Sequence, residues 1–301
     1  MYIVTHEEKK IGMLGLTVLA IAILTTTIFS GCTSQQNQNT GLQIVAYGRA
    51  APSGTRDYFV SAVMKNATTG KSDNFSANIY DTNSNGAVYD SVNTTAGGIG
   101  YVGIGFVTSY VKLLTINNVS ATVANVLSKT YPLSRDLYLV TNGNATGNAK
   151  EFIDFMQSMQ GQTEVEAEKF VPVPAYQTKT YDSTGKQLSG VLRISGSTTV
   201  APIIERAKTA FIALYPSINI TITSPGSGAG ITAVSQGTAD IGMSSRELTA
   251  TEKATLVPYV CAKDGLAIIV NKGNTYVNNL SITQLKAIYQ GLITNWNHFS
   301  T

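Results

Sequence analysis

Histidine is nearly missing from this chain of 301 residues, which holds two, His6 and His298. Cysteine is as scarce, with Cys32 and Cys261 alone. Charged residues make up 13% of the sequence, and the formal net charge is +3. Each shortage excludes a class of function. His6 falls in a leader segment and His298 near the end, so neither a catalytic triad nor a His-rich metal site can be assembled, and no metal or cofactor is expected. With Cys32 at the end of the leader, Cys261 has no partner for a disulfide within the domain. The small charge, with no clustered basic face, argues against a nucleic-acid partner. Two enzymatic motifs also fail. Thr69-Gly70-Lys71-Ser72 lacks the leading glycine of a P-loop, where Lys65 stands instead, and no G-x-S-x-G elbow occurs.

The leader is informative. Lys9 and Lys10 precede a run from Ile11 to Phe29 without a charge, closed by Ser30-Gly31-Cys32. A basic start, an apolar stretch and small residues before a cleavage point describe a secretory signal over 1–32. Cys32 directly after Ser-Gly resembles a lipoprotein signal, in which that cysteine becomes the acylated first residue. The competing reading is an uncleaved membrane anchor, since the run is nearly long enough to span. In both readings the remainder lies outside the cytoplasm, behind a flexible polar tether over 33–41. Seven N-x-Ser/Thr sequons, at Asn66, Asn74, Asn93, Asn118, Asn144, Asn219 and Asn279, suit an exported protein, although a chain rich in Asn and Thr produces some by chance.

What the chain does contain is a repeated local pattern: apolar strand, Gly/Ser/Thr turn, amphipathic helix. It occurs at 42–66 ("LQIVAYG-RAAPSGT-RDYFVSAVMKN"), at 190–215 ("GVLRI-SGSTT-VAPIIERAKTAFIALY") and at 218–237 ("INITI-TSPGSGAG-ITAVSQG"). Pro202 is acceptable in a first helical turn. In each case small hydroxyl residues sit where a helix presents unpaired N–H groups, an arrangement suited to a small oxyanion. Any single loop is explained as well by ordinary capping and turning. Three loops, one of them carrying Arg49, shift the balance, because a guanidinium fork matches two oxygens of a tetrahedral anion. Alternating strands and helices imply an α/β sheet with its ligand at strand C-terminal ends. "TADIGMSSREL" (238–248) adds a further such end, "DGLAIIVNKGN" (264–274) reads as a strand, and "GGIGYVGIGFV" (97–107) as a strand where backbones approach closely.

These segments carry a family resemblance. "SGSTTVAPI", "PGSGAGITAVSQGTADIGMSSREL", "DGLAIIVNKGN" and "SITQLKAIYQGLITNW" resemble consecutive segments of the phosphate-binding proteins of ABC phosphate importers. These are periplasmic binding proteins with two α/β lobes and a hinge. "RAAPSGTRDYF", "SNGAV", "GGIGYVGIGFV", "YPLSRDLYLVTNG" and "FIDFMQSMQGQ" resemble the segments that follow. In the family the first group leads; here it comes second. The resemblance thus implies a circularly permuted order: 42–174 matches the latter part of the fold and 188–301 the earlier part. The stretch 176–190 would join the ancestral ends, which close surface termini make tolerable. The alternative is a fragment of a tandem fusion. The expected lobes are 42–105 plus 272–301, discontinuous, and 106–271, continuous.

Carried over by motif, the family's ligand contacts fall on Thr198 and Thr199 in one loop, Ser227 in the second and Ser245 after the next strand. From the opposite lobe come Arg49, Ser53, Gly54 and Thr55. Two departures bear on them. Many family members place an Asp where Ser245 stands, and that Asp accepts the proton of hydrogen phosphate. The family also places an acidic residue beside the Arg, where this chain has Ala51. The resemblance implies a lipid-anchored, monomeric, extracytoplasmic receptor that passes inorganic phosphate to an ABC permease. Other readings are a receptor for sulfate or molybdate, a sensor or adhesin, and an extracellular phosphohydrolase or serine hydrolase built on Ser53 or Ser227. That last reading needs an activating base within reach.

Overall fold

The apolar runs become strands, and the hydroxyl-rich turns lead into helices. The computed structural model describes residues 41–66 and 68–300. The expected signal, Cys32 and nearly all of the tether lie outside the described residues. Strand β1 (Val45–Arg49) leads to helix α1 (Gly54–Phe59), which continues through a π-helical turn, Val60–Met64. After β2 (Tyr80–Thr82), Ser84 caps α2 (Asn85–Thr94), and the wholly buried β3 (Gly98–Gly103) follows. Short strands β4 (Val111–Leu113) and β5 (Thr115–Ile116) precede α3 (Val123–Leu127). Then come β6 (Ser134–Asn142), α4 (Gly147–Met156) and α5 (Met159–Ala167).

The second half repeats the alternation. β7 (Gly190–Gly196) feeds α6 (Ala201–Leu214), with Pro202 in its first turn, where a missing N–H is harmless. β8 (Ile218–Thr223) feeds α7 (Ser227–Ser235), and β9 (Ile241–Ser244) follows. β10 (Leu256–Asn271) is the longest strand, and β11 (Asn279–Leu280) leads to α8 (Ile282–Tyr289), started by a Ser281/Gln284 capping box. Among the described residues no helix is long and apolar enough to cross a membrane.

One curled, mixed sheet of nine strands organises these pieces, in the order β2-β1-β3-β10-β6-β9-β7-β8 with β4 beside β10. β1 lies parallel to β2 and β3, and β7 parallel to β8 and β9. β10 ties the two sets together. It runs antiparallel to β6 from Leu256 to Gly265, then antiparallel to β3 from Leu266 to Val270. The sequence reading has this strand starting at Asp264; it begins eight residues sooner, disguised by Pro258 and by a half-buried, mixed pattern.

Two main cores flank the sheet. Phe59, Tyr101, Leu266, Ile268, Leu285, Tyr289 and Trp296 belong to one, and Leu137, Phe152, Phe155, Ile194, Phe211 and Met243 to the other. The expected lobe limits of 106 and 271 shift accordingly. Leu114, Ile116, Val126 and Leu133 pack in the first core, because β4 pairs with β10 and β5 with β11. The chain therefore crosses between lobes just before β6, and again inside β10. We call the first lobe A and the second lobe B.

The halves 42–174 and 188–301 interleave rather than pack as separate domains. Gln43 bridges Asn295, and the Trp296 N–H donates to the Leu42 carbonyl at 2.9 Å. The Trp296 indole N–H donates to the Gly97 carbonyl at 3.0 Å, closing the same corner of lobe A. The stretch 176–190 is not a loose strap. Tyr181 is buried in lobe B, and the Gln160 amide bonds to both its N–H and its carbonyl.

Candidate oxyanion site

Arg49 is the last residue of β1, at the strand end that faces lobe B. Its side chain is buried, at 2% exposure. Nη2 donates to the Asn83 carbonyl and to Thr198 Oγ1, each at 3.0 Å. Nε and Nη1 are buried with no hydrogen-bond partner. Burial, opposed by Tyr101 and reinforced by the Arg135 charge, pulls the Arg49 pKa down to about 10, so it remains a cation at neutral pH. Among the described residues no carboxylate pairs with it, consistent with alanine at position 51. The missing acid leaves it no less fixed, because Asn83 and Thr198 hold the guanidinium. A buried, unpaired charge of this kind is expensive unless an anion compensates it.

Hydroxyls from both lobes converge beside it. Thr55 Oγ1, from lobe A, lies 2.8 Å from Thr199 Oγ1 and 3.3 Å from Ser245 Oγ, both of lobe B. Ser227 Oγ accepts from the Ser245 N–H at 3.1 Å and lies 3.3 Å from Ser245 Oγ. All four are at most 1% exposed, whereas Thr198 is half-buried. Gly54 is required by this close approach, since a Cβ there would overlap the Ser227 hydroxyl. Of the residues expected from the motifs, Arg49, Gly54, Thr55, Thr198, Thr199, Ser227 and Ser245 thus meet in one cluster.

Ordinary capping accounts for one of these side chains. Ser53 caps α1, accepting from the Arg56 N–H at 3.3 Å. Thr198 and Thr199 precede a helix capped by Val200, and Ser227 follows the cap Gly226, with no side-chain cap bond in either case. Their hydroxyls bond within the cluster instead.

Three residues that touch this cluster escape the sequence reading. Asn85, the first residue of α2, is fully buried and reaches the 198–199 loop across the lobe boundary. Arg135 on β6 forms a buried pair with Asp264 on β10. Its Nε and Nη2 stand 2.8 and 2.7 Å from Asp264 Oδ2, and Nη1 donates to the Ser245 carbonyl at 3.0 Å. Asp264 Oδ1 accepts from the Ile104 N–H at 2.8 Å. Burial pushes the Asp264 carboxyl up, while Arg135 and that N–H pull it back. A lone Asp opening an apolar run is the signal that could have found it; Arg135 and Asn85 sit in segments with no such mark. At the rim, Arg246 Nε donates to Asp57 Oδ2 of lobe A at 3.0 Å while its Nη1 and Nη2 hold Glu252 of lobe B. Arg56 pairs with Asp81 at 2.7 Å, and its Nη1 also donates to the Arg49 backbone carbonyl at 2.7 Å.

The assembly is rich in donors and poor in bases. Among the described residues no histidine joins it, and His298 stands exposed in the turn Trp296–Phe299. Such a cage can hold and desolvate a small oxyanion through charge-assisted hydrogen bonds.

A family model described as a PBP superfamily domain matches residues 3–160 and 176–301. The chain belongs to the PBP superfamily. Phosphate-binding protein PstS 2 of Streptococcus pneumoniae serotype 4 is 36% identical over 266 residues, 88% of this chain and 89% of that protein. The PstS 2 of Streptococcus agalactiae serotype V is 35% identical over 297 residues, 97% of this chain and 99% of its own length. Those extents place the chain in the family of PstS phosphate-binding proteins. The crystal structure of a phosphate-binding protein of a phosphate ABC transporter from Streptococcus pneumoniae TIGR4 superimposes with a TM-score of 0.69 at 37% identity, covering 86% of this chain and 100% of that one. The PBP-type fold is therefore shared. Because the alignments run end to end, so is the order of segments: these relatives carry it too.

Proposed function

We propose that this chain captures inorganic phosphate between its lobes and delivers it to the permease of an ABC importer. The observation that carries this reading is Arg49, a buried cation with two unpartnered nitrogens among hydroxyls from both lobes. A tetrahedral oxyanion meets its charge and both nitrogens at once. In this reading Arg49 and the backbone and hydroxyls of Ser53, Gly54 and Thr55 grip from lobe A. Thr198, Thr199, Ser227 and Ser245 grip from lobe B. Ser245 Oγ is the acceptor for the proton of hydrogen phosphate. The names of the relatives support phosphate over sulfate or molybdate. The reading as a receptor is supported by the names of the relatives, which are binding proteins of phosphate transport.

The same proposal has the protein work as a monomer on the outer face of the cell membrane, held by acylated Cys32. It also reads the segment order as a circular permutation held in common with the PstS 2 relatives. The contact of 295–296 with 42–43 supports this, since those segments would be consecutive in the usual order.

Calorimetric titration with phosphate, sulfate and molybdate, beside incubation with a chromogenic phosphate ester, tests the reading. Binding of phosphate without ester turnover is expected. Heat on sulfate or molybdate alone would change the ligand, and turnover would replace a receptor with a phosphohydrolase.

A further inference from the structure

Asn85 holds a position no ordinary structural asparagine needs. Its Oδ1 accepts from the Gly103 N–H at 3.3 Å. That bond fixes which way the amide faces, because the reversed amide would set its NH₂ against another donor. Nδ2 is therefore the group that faces lobe B, and it donates to Thr198 Oγ1 at 3.1 Å and to Thr199 Oγ1 at 2.9 Å. Thr198 Oγ1 also receives the Arg49 Nη2 donor at 3.0 Å. A hydroxyl has two lone pairs and one proton. Both lone pairs of Thr198 are thus occupied by donors, and its proton has to point elsewhere. The Thr199 hydroxyl takes one donor from the same amide and shares its remaining contact with Thr55.

From this geometry we propose that Asn85 is a positioning residue that commits the Thr198 hydroxyl proton to the bound oxyanion and holds Thr199 beside it through one lone pair. Without it, the Thr198 hydroxyl can rotate and present a lone pair to the anion, which repels it. Asn85 belongs to lobe A and the threonines to lobe B, so this orientation is set when the lobes meet. The cage thus becomes donor-directed as the lobes close on the anion. Gly103 has to remain glycine for this arrangement, since a Cβ there would stand 2.8 Å from Thr199 Cγ2.

The inference rests on the oxyanion-receptor reading but not on which oxyanion is held. The test is a calorimetric double-mutant cycle with phosphate and, in parallel, sulfate. Asn85→Ala is expected to weaken binding of the preferred anion by about tenfold. Asn85→Asp keeps the shape but turns the donor into an acceptor that claims both hydroxyl protons, and should weaken binding by about a hundredfold or more. In a Thr198→Val, Thr199→Val background, Asn85→Ala should add little, because the groups it orients are gone. Thermal unfolding of each variant without anion separates binding from folding. Equal losses from Asn85→Ala in both backgrounds would overturn the positioning role and leave a merely structural one. Unchanged affinity in Asn85→Asp would overturn it as well. If the unaltered protein binds sulfate but not phosphate, the phosphate reading fails while the cycle, run with sulfate, still decides the role of Asn85. Binding of neither anion overturns both.

Discussion

The two faces of the cleft grip by different means. Lobe A brings a full charge, Arg49, together with an amide, Asn85. Lobe B presents hydroxyls there, and keeps its own cation, Arg135, behind them, paired with Asp264 and bonded to the Ser245 carbonyl. In the proposed reading the charged face supplies attraction, and the hydroxyl face shape and direction. Two unpaired cations so close would repel, and Arg135 adds to the burial that lowers the Arg49 pKa. Among the described residues, pairing Arg135 with Asp264 leaves Arg49, of the two, as the cation without a carboxylate, the one the proposed ligand would meet.

This contrast can be broken from behind the hydroxyl face. Arg135→Met strands the Asp264 carboxylate in a fully buried setting, and should cost about 3–5 kcal/mol of stability by denaturant titration. Adding Asp264→Leu should recover much of that loss. If the single change is harmless, the pair is not what holds Ser245.

Adding charge to the hydroxyl face sharpens the comparison. Ser245→Asp places an acceptor where hydrogen phosphate can donate and sulfate cannot. Sulfate binding should fall about tenfold more than phosphate binding, read by calorimetry with both anions. A parallel fall for both would show that the anion proton does not face this position.

Smaller effects belong to the rim. The Arg246–Asp57 pair joins the lobes but is half exposed on the Asp57 side. Asp57→Asn should weaken phosphate binding by no more than about 1 kcal/mol, and by less as salt is added. On the other side of Arg246, the hydrogen bond from its guanidinium holds Glu252 down at about 2, against an ordinary 4.5. A depressed carboxylate stabilises the fold above its unfolded pKa, and that contribution fades as pH falls from 4.5 towards 2. Glu252→Gln should therefore lower stability near neutrality, where the contribution is full, and flatten acid destabilisation in that window, the difference from the unaltered protein fading towards pH 2. An unaltered acid profile would show that the pair is solvated away.

What could be read from the sequence follows a physical line. The turns at 48–55, 195–199 and 224–228 announce themselves locally, through Gly, Ser and Thr between an apolar strand and a helix, and all of them meet in the structure. The family resemblance then joined them into one site. Asn85 and Arg135 announce nothing, because their meaning lies in partners 113 and 129 positions away. The lobe limits were misplaced for a related reason. β4 and β5 are too short to mark themselves, and pairing with β10 and β11 decides which core they enter. The first half of β10 was hidden by Pro258, although that residue sits in register opposite Val140 within the ladder.

The central claim is that one buried cation on lobe A holds the anion, and the most direct test compares two arginines seven positions apart. Arg49 points into the cleft, while Arg56 is paired with Asp81 outside it. Losing a charge-assisted contact to a buried anion costs about 2–5 kcal/mol. Calorimetric titration with phosphate should show Arg49→Ala weakened at least about tenfold and Arg56→Ala close to the unaltered protein. Unchanged phosphate affinity in Arg49→Ala would contradict the account.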